Sequence, residues 1–297
     1  MPGSRYEVRM DKKHTRLFSV AVMCRVLKIS TSGYYDSLKR RPCQQLVRRK
    51  TIAQAAAHSH FESNRIYGYR KVYEDLQEEN IICCEETVRR IMRKIGLYSR
   101  IKRKFVVTTD SNHAFKIAEN LLGRDFTAEA PNQKWVADIT YIPTKLGWLY
   151  LAVVMDLFSR RIVGWAMDEN IDSKLVQSAM KMAIQHRDPD KGLIHHSDRG
   201  VQYAAQDFQD LLDDNKVVCS MSRKGNCWDN ACAESFFGSL KGEWVKDKIY
   251  ETFEDGKKDI FKYIEVFYNR KRRHASLGYV SPTVYEEMHE MKQNRAA

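Results

Sequence analysis

"KWVADITYIP" (residues 134–143), "WLYLAVVMDLFS" (148–159) and "RRIVGWAMD" (160–168) are three consecutive runs rich in Val, Ile, Tyr and Trp. Only short turns, at Thr144–Gly147 and Phe158–Arg160, separate them. β-Branched and aromatic residues fit a pleated, half-buried surface, and connections this short join antiparallel neighbours, so the stretch predicts a three-stranded meander. Beyond it, "SKLVQSAMKMAIQHR" (173–187) sets Leu175, Ala179, Met182 and Ala183 on one face of a helix. "GLIHHSD" (192–198) reads as a short buried strand running into a polar turn, and "AAQDFQDLLDDN" (204–215) as a helix. "KVVCSMS" (216–222) reads as a strand, and "DNACAESFFGSLKGEW" (229–244) as a helix. The order β-β-β-α-β-α-β-α predicts an α/β fold, a mixed five-stranded sheet flanked by helices.

Three acids in this frame invite attention. Asp138 sits among good strand formers, where aspartate is depleted and an unpaired buried charge is costly. Asp198 follows a strand at its C-terminal end, a place where ligands collect in open mixed sheets. Glu234 lies inside the last helix, and Asn230, Glu234 and Lys241, at i, i+4 and i+11, share one of its faces. Each has an ordinary structural explanation when taken alone. Asp138 suits a strand edge or a salt bridge, Asp198 suits the turn "SDRG", and Glu234 suits a solvated helix face. Together, three carboxylates from separate elements converge only if something offsets their repulsion, and divalent metal ions do that.

Outward from the sheet, the charge is unevenly placed. The chain of 297 residues carries a formal net charge of +12, and residues 1–130 hold 26 basic against 14 acidic side chains. Residues 131–297 hold 24 of each, so the excess lies wholly in the first part. A basic module joined to a neutral one points to polyanion binding beside another task. "FSVAVMCRVLKISTSGYYDSLKRR" (18–41) reads as helix, tight turn at Ser30–Gly33, helix, and a second helical pair follows a polar stretch. In "GYRKVYEDLQEENIICCEETVRRIMRKIGL" (68–97), Val72, Leu76, Val88, Ile91 and Met92 keep helical spacing, broken at Glu79–Glu86, with Gly96 as C-cap. Arg89, Arg90, Arg93 and Lys94 line the exposed side of the later helix, so two helix-turn-helix-like units are expected, with a plain helical bundle as the alternative. The expected division is 1–60 and 61–98 for these units, 99–130 for a basic linker, 131–250 for the sheet domain and 251–297 for a helical extension of it.

Other side chains have competing readings. Asp156 pairs structurally with Arg160 or Arg161, or approaches the acids from the neighbouring strand. His195 and His196 pack the strand or ligate metal, and Trp228 closes the core or stacks on a base. Arg270, Lys271, Arg272, Arg273 and His274 form a basic run suited to phosphates or to solvent. His58, His60, Cys83 and Cys84 are the nearest approach to a zinc site, and adjacent cysteines chelate poorly. Seven scattered cysteines suggest a reduced, cytoplasmic protein. The longest apolar run, Trp148 to Met155, is far shorter than the roughly 20 residues of a membrane span, and the N-terminus shows no signal-peptide pattern.

Aspartate, aspartate, 35 intervening residues, glutamate resembles the pattern of the ribonuclease H-like DDE transposases and retroviral integrases. The chain is more similar still to the second-reading-frame product of the IS-three group of bacterial insertion sequences. "YGYRKVYEDL", "TVRRIMRKIGL", "NQKWVADITYIPT", "MDLFSRRIVGW", "HHSDRGVQYA", "NCWDNACAESFFGSLKGE" and "YIEVFYNRKRRHASLGYVSPTVYEE" carry that resemblance over nearly the whole length. It implies a ribonuclease H-like core with Asp138, Asp198 and Glu234 as a triad holding two Mg²⁺ or Mn²⁺ ions, Asp138 shared between them. It implies a DNA contact for Lys241 near the reacting phosphate, while Asn230 orients Glu234, touches DNA or packs the helix. Arg89, Arg90, Arg93, Lys94, Arg270 and Arg273 complete the expected DNA-binding set. The expected activity is metal-dependent cleavage and strand transfer at insertion-sequence ends, the helical units reading terminal inverted repeats of double-stranded DNA. A homo-oligomer on paired ends, a nucleoid-associated location and fusion to an upstream frame's product are further expectations. A non-catalytic DNA-binding regulator and a nuclease without strand joining are the alternatives.

Overall fold

The computed structural model describes residues 18–39, 42–99, 117–223, 227–246 and 248–296. Strands β1 (Lys134–Thr144), β2 (Gly147–Asp156), β3 (Ile162–Asp168), β4 (Ile194–Ser197) and β5 (Val218–Met221) form one sheet in the order β3-β2-β1-β4-β5. The β1-β2-β3 pairs are antiparallel, as the short turns require, and β4 and β5 join in parallel after helical crossovers. The mixed five-stranded sheet is the architecture expected from the pattern of runs.

Helices cover both faces. The face of β1 carrying Trp135 and Ala137 packs with α6 (Ser173–Arg187), α7 (Val201–Ala204) and α8 (Gln206–Asp214). Close approach of α6 needs a residue without a side chain on β3. A Cβ on Gly164 would lie 2.2 Å from the Ala179 carbonyl oxygen, so only glycine fits. The face carrying Val136 and Ile142 packs with α9 (Ala231–Ser239) and α10 (Phe253–Phe261). Both of these helices continue into a π-helical turn, Leu240–Val245 and Lys262–Tyr268 respectively. A last helix, α11 (Pro282–Ala296), returns to the sheet, where its Glu286 accepts from Ser159, Arg161 and Arg187.

Before the sheet lie α1 (Val20–Val26), α2 (Thr31–Lys39), α3 (Gln44–Glu62), α4 (Tyr69–Glu78) and α5 (Glu85–Lys94). The first turn differs from the expected Ser30–Gly33. Helix α2 already starts at Thr31, because the Ser30 hydroxyl accepts the Gly33 amide at 3.0 Å and caps it. The polar stretch after it is largely the 19-residue α3, which runs across the division expected at residue 60. Its apolar side is reduced to small or isolated residues, Ile52 and Ala56 foremost, so its period was faint in the sequence. Ile52, Ala56, Val72, Leu76, Val88 and Met92 join the same continuous core as β1, β2, α9 and α10. Of the stretch expected as a linker, residues 100–116 lie outside the described residues. The part from 117 on packs down, with Leu122 buried and the Leu121 amide donating to Ser220 Oγ at 2.9 Å.

Candidate active site

The site begins as a mismatch of strand lengths. β1 has 11 residues and its parallel neighbour β4 has four. Their register pairs Lys134 with Ile194, Trp135 with His195 and Val136 with His196. Continued two residues further, that register sets Asp138 level with Asp198, the first residue beyond β4. Past β4 the edge of β1 is left unpaired from Asp138 until Tyr250 bridges it at Thr144, and Asp198 stands at the mouth of that gap. Asp138 Oδ1 accepts the Ile139 amide at 2.8 Å, and Asp198 Oδ1 accepts the Gly200 amide at 2.9 Å. A Cβ on Gly200 would come within 3.0 Å of that Asp198 oxygen, so the turn's glycine keeps the carboxylate unobstructed.

Helix α9 brings the third acid. Asn230, at its N-terminus, donates from Nδ2 to the Ala137 carbonyl at 3.0 Å, tying the helix to the residue before Asp138. Phe236 and Leu240 are buried in the core one and two turns on. Glu234, in the first helical turn, is thereby held over β1, half-buried. Lys241 follows on the π-helical turn, its ammonium 4.2 Å from the centre of the Tyr141 ring.

Electrostatics show that these groups share one field. Burial first, then the charge of Asp198, pushes the Asp138 carboxyl well above the usual range, and Glu234 adds to the push. The Ile139 amide and the Lys241 ammonium offset it only in part. Burial also raises Glu234, and it lowers Lys241 to about 8 against the attraction of Asp138. A carboxylate in this position calls for positive charge. The donors are all hard oxygens, which suits a divalent cation of the magnesium type. Among the described residues, no three His, Cys, Asp or Glu side chains are gathered tightly enough to form a ready coordination cage. The acids share a field without being closed into a set of ligands.

The surroundings contain groups that sequence reasoning did not single out. Tyr203, in the "HSDRGVQYA" stretch, is buried with no partner for its hydroxyl among the described residues, and burial first, then Asp138 and Asp198, oppose its ionisation. Asp229 is fully buried just before α9. It accepts from Asn120, Arg124 and Arg223, and Arg223 first, then Arg124, hold its carboxyl far below the usual range. Its position directly before Asn230 was the available signal.

The remaining expected residues divide. Asn230 is 4% exposed and bonded to β1, so it packs and positions the helix. Arg273 is also turned inward. Its guanidinium binds Asp75 at 2.7 Å, Glu78 at 2.6 Å and the Tyr279 carbonyl at 2.9 Å, which leaves little of it for phosphate. Arg270 remains exposed beside it. Arg89 and Arg90 are exposed and both paired with Glu86, while Arg93 and Lys94 are exposed at the end of α5. The partner of Asp156 is neither Arg160 nor Arg161 but Arg187, at 3.1 Å, because Arg161 is taken by Glu286. His195 packs on Tyr203 and Phe208, and His196 bonds Ser220 and Ser222 at 2.8 and 3.1 Å, so both serve the interior of the sheet. His60 bonds the Tyr67 carbonyl at 2.9 Å. The Trp228 side chain lies outside the described residues.

Comparison with known proteins places this arrangement. The integrase core domain family matches residues 128–227 and, in a second family of that description, 234–289, and an HTH-like domain family matches residues 48–105. The chain is 41% identical over 270 residues to an insertion element IS600 uncharacterized 31 kDa protein of Shigella sonnei, covering 91% of this chain and 99% of that one. It is 39% identical over 282 residues to transposase InsF for insertion sequence IS3A of Escherichia coli, covering 93% and 96%. Among solved structures, a chain of the simian T-cell lymphotropic virus intasome in complex with PP2A regulatory subunit B56 gamma aligns over 79% of this chain and 74% of its own, with 15% identity and a TM-score of 0.46.

Proposed function

The chain belongs to the IS3 family of insertion-sequence transposases and is a DNA transposase, and we propose that Asp138, Asp198 and Glu234 are the acids with which it cleaves and joins strands. The observation that carries this reading is the state of Asp138, a carboxyl pressed upward by burial and by Asp198 at an open strand edge, with Glu234 above it. Asp138, Asp198 and Glu234 would hold two Mg²⁺ or Mn²⁺ ions. When bound, such ions supply Lewis-acid stabilisation of a phosphodiester and lower the pKa of a coordinated water.

The chain's own residues do the rest. Asn230 fixes the height of α9 on β1, so that Glu234 stays opposite Asp138. Lys241 presents its ammonium beside Asp138, where a phosphate oxygen of the reacting strand would meet it. Water attacks the phosphodiester at the element's end, the bridging P–O bond breaks, and a 3′-OH is freed. That hydroxyl attacks a second phosphodiester, whose own bridging P–O bond breaks as the new one forms, so the strands are joined and the displaced strand leaves with a 3′-OH. No Ser or Tyr nucleophile is needed, because no protein–DNA bond forms. The helical unit of α3–α5 would grip the element's terminal repeats. Arg93 and Lys94 are exposed to phosphate, and the solvent-screened Glu86 pairs hold Arg89 and Arg90 only weakly, so DNA can compete. Self-association on paired ends and fusion to an upstream frame's product belong to the same reading.

The test uses labelled element ends with Mg²⁺ or Mn²⁺, read first for cleavage and then for joining. Asp138→Asn, Asp198→Asn and Glu234→Gln are each expected to remove cleavage while end binding persists. Cleavage retained in any of the three refutes the assignment, and cleavage without joining in the unaltered protein reduces it to a nuclease.

A further inference from the structure

Beyond Asp138, β1 changes character. On the face where Trp135 and Ala137 are buried under α6, Ile139 is only partly covered and Tyr141 is 37% exposed. In the β1–β2 register Tyr141 faces Tyr150 and Pro143 faces Trp148, which makes Tyr141 and Trp148 diagonal neighbours on that one face. Their rings meet edge to face, 4.9 Å between centres at 72°, and Trp148 is 51% exposed. A cross-strand aromatic pair stabilises a hairpin, but that role does not require half of an indole to stay in water.

What lies on the other side of Tyr141 gives the pair a direction. The Lys241 ammonium sits 4.2 Å from the centre of the Tyr141 ring. Ammonium, phenol ring and indole follow one another in contact, and the ammonium lies within the field of Asp138. A cation followed by open aromatic surface is the pairing that single-stranded nucleic acid uses, phosphate on the cation and base on the ring. In a duplex the faces of the bases are hidden by stacking, so only an unpaired base can use such a ring. We propose that Trp148, backed by Tyr141, is a stacking platform for an unpaired base one or two nucleotides from the phosphate that Lys241 contacts. Because every base has a π face, the platform takes bases with little regard to sequence. The substrate it selects is a DNA end whose last bases are frayed or single-stranded. This deepens the reading of Asp138 as the reacting centre and rests on it for the direction of the strand.

The experiment measures binding by the full chain in the presence of EDTA. The probe is a short duplex, blunt or carrying a single-stranded trinucleotide overhang that contains 2-aminopurine. The unaltered protein is expected to bind the overhang duplex about tenfold more tightly than the blunt one and to quench the 2-aminopurine. Trp148→Leu keeps apolar contact with Tyr141 but has no π face, and is expected to lose both preference and quenching. Trp148→Phe is expected to retain most of each. Full preference and quenching in Trp148→Leu, or no preference in the unaltered protein, overturns the proposal. Asp138→Asn is expected to keep both signals. If that variant also cleaves DNA normally, the assignment of the acids fails while the platform stands.

Discussion

Asp138 has one hydrogen-bond donor fixed on it, the Ile139 amide at 2.8 Å, and a field dominated by another carboxylate. A residue chosen for folding alone would not be put there, since a buried carboxyl without a cation is costly. The strand formers around it pay that cost through their own burial. His195, on the adjacent strand, shows the opposite solution. Among the described residues neither of its buried ring nitrogens has a partner, and burial lowers its pKa from 6.5 to about 3. The folded state therefore keeps it neutral, while the unfolded chain takes up a proton below pH 6.5. Stability from this group is complete above that value and is lost as pH falls toward about 3. Between pH 7 and 5 the loss from His195 is about 2 kcal/mol. Urea unfolding at the two pH values is expected to show this loss in the parent and a smaller one in His195→Phe, whose ring can still pack on Tyr203 and Phe208. An equal loss in both refutes it.

Among the elements, α9 is tied down at both ends. After α9 the chain turns with π-helical geometry, and Glu243 on that turn is buried against Arg272 in a two-pronged pair, both contacts 2.7 Å. Arg272 also donates to Ser239 on α9 at 3.2 Å. The rotation of the helix that carries Glu234 and Lys241 is thus fixed at its far end by the C-terminal segment and at its near end by Asn230. Removing one partner leaves the other charge buried and alone, which costs about 3–5 kcal/mol. Glu243→Ala is expected to lower the unfolding free energy by about that much, and Glu243→Leu combined with Arg272→Met to recover most of it. Chemical denaturation of the three proteins reads the difference, and additive losses in the double variant would contradict it. In sequence the basic run at residues 270–274 suits phosphates and solvent equally. Charge was legible there, but not whether it faced water or an acid.

Over the whole molecule, consecutive arginines join what the sequence divided. Arg272 reaches α9 and the turn after it, Arg273 reaches Asp75 and Glu78 on α4, and the Tyr67 hydroxyl donates to the Lys271 carbonyl at 2.8 Å. With a continuous core from α3 to α10, the HTH-like region docks on the five-stranded sheet. Its outward basic residues remain for DNA. Arg93→Ala with Lys94→Ala is expected to weaken duplex binding across sequences and to reduce the slope of log affinity against log salt by about 2, close to one per phosphate contact. Titrations at several salt concentrations check this, and an unchanged slope excludes the pair from the interface. The sequence by itself determined the strands, the helices that cross between them, the five-stranded mixed sheet and the spacing of the three acids, because hydrophobic period and turn chemistry are local properties that survive without partners. Only the tertiary structure decided which charges face inward. Arg273 was turned from phosphate to Asp75, Asp156 was given Arg187, and Asn230 was closed against Ala137. Each pairing spans distant parts of the chain, and an ionised side chain takes its partner from whatever packing brings within reach, on which the local pattern is silent.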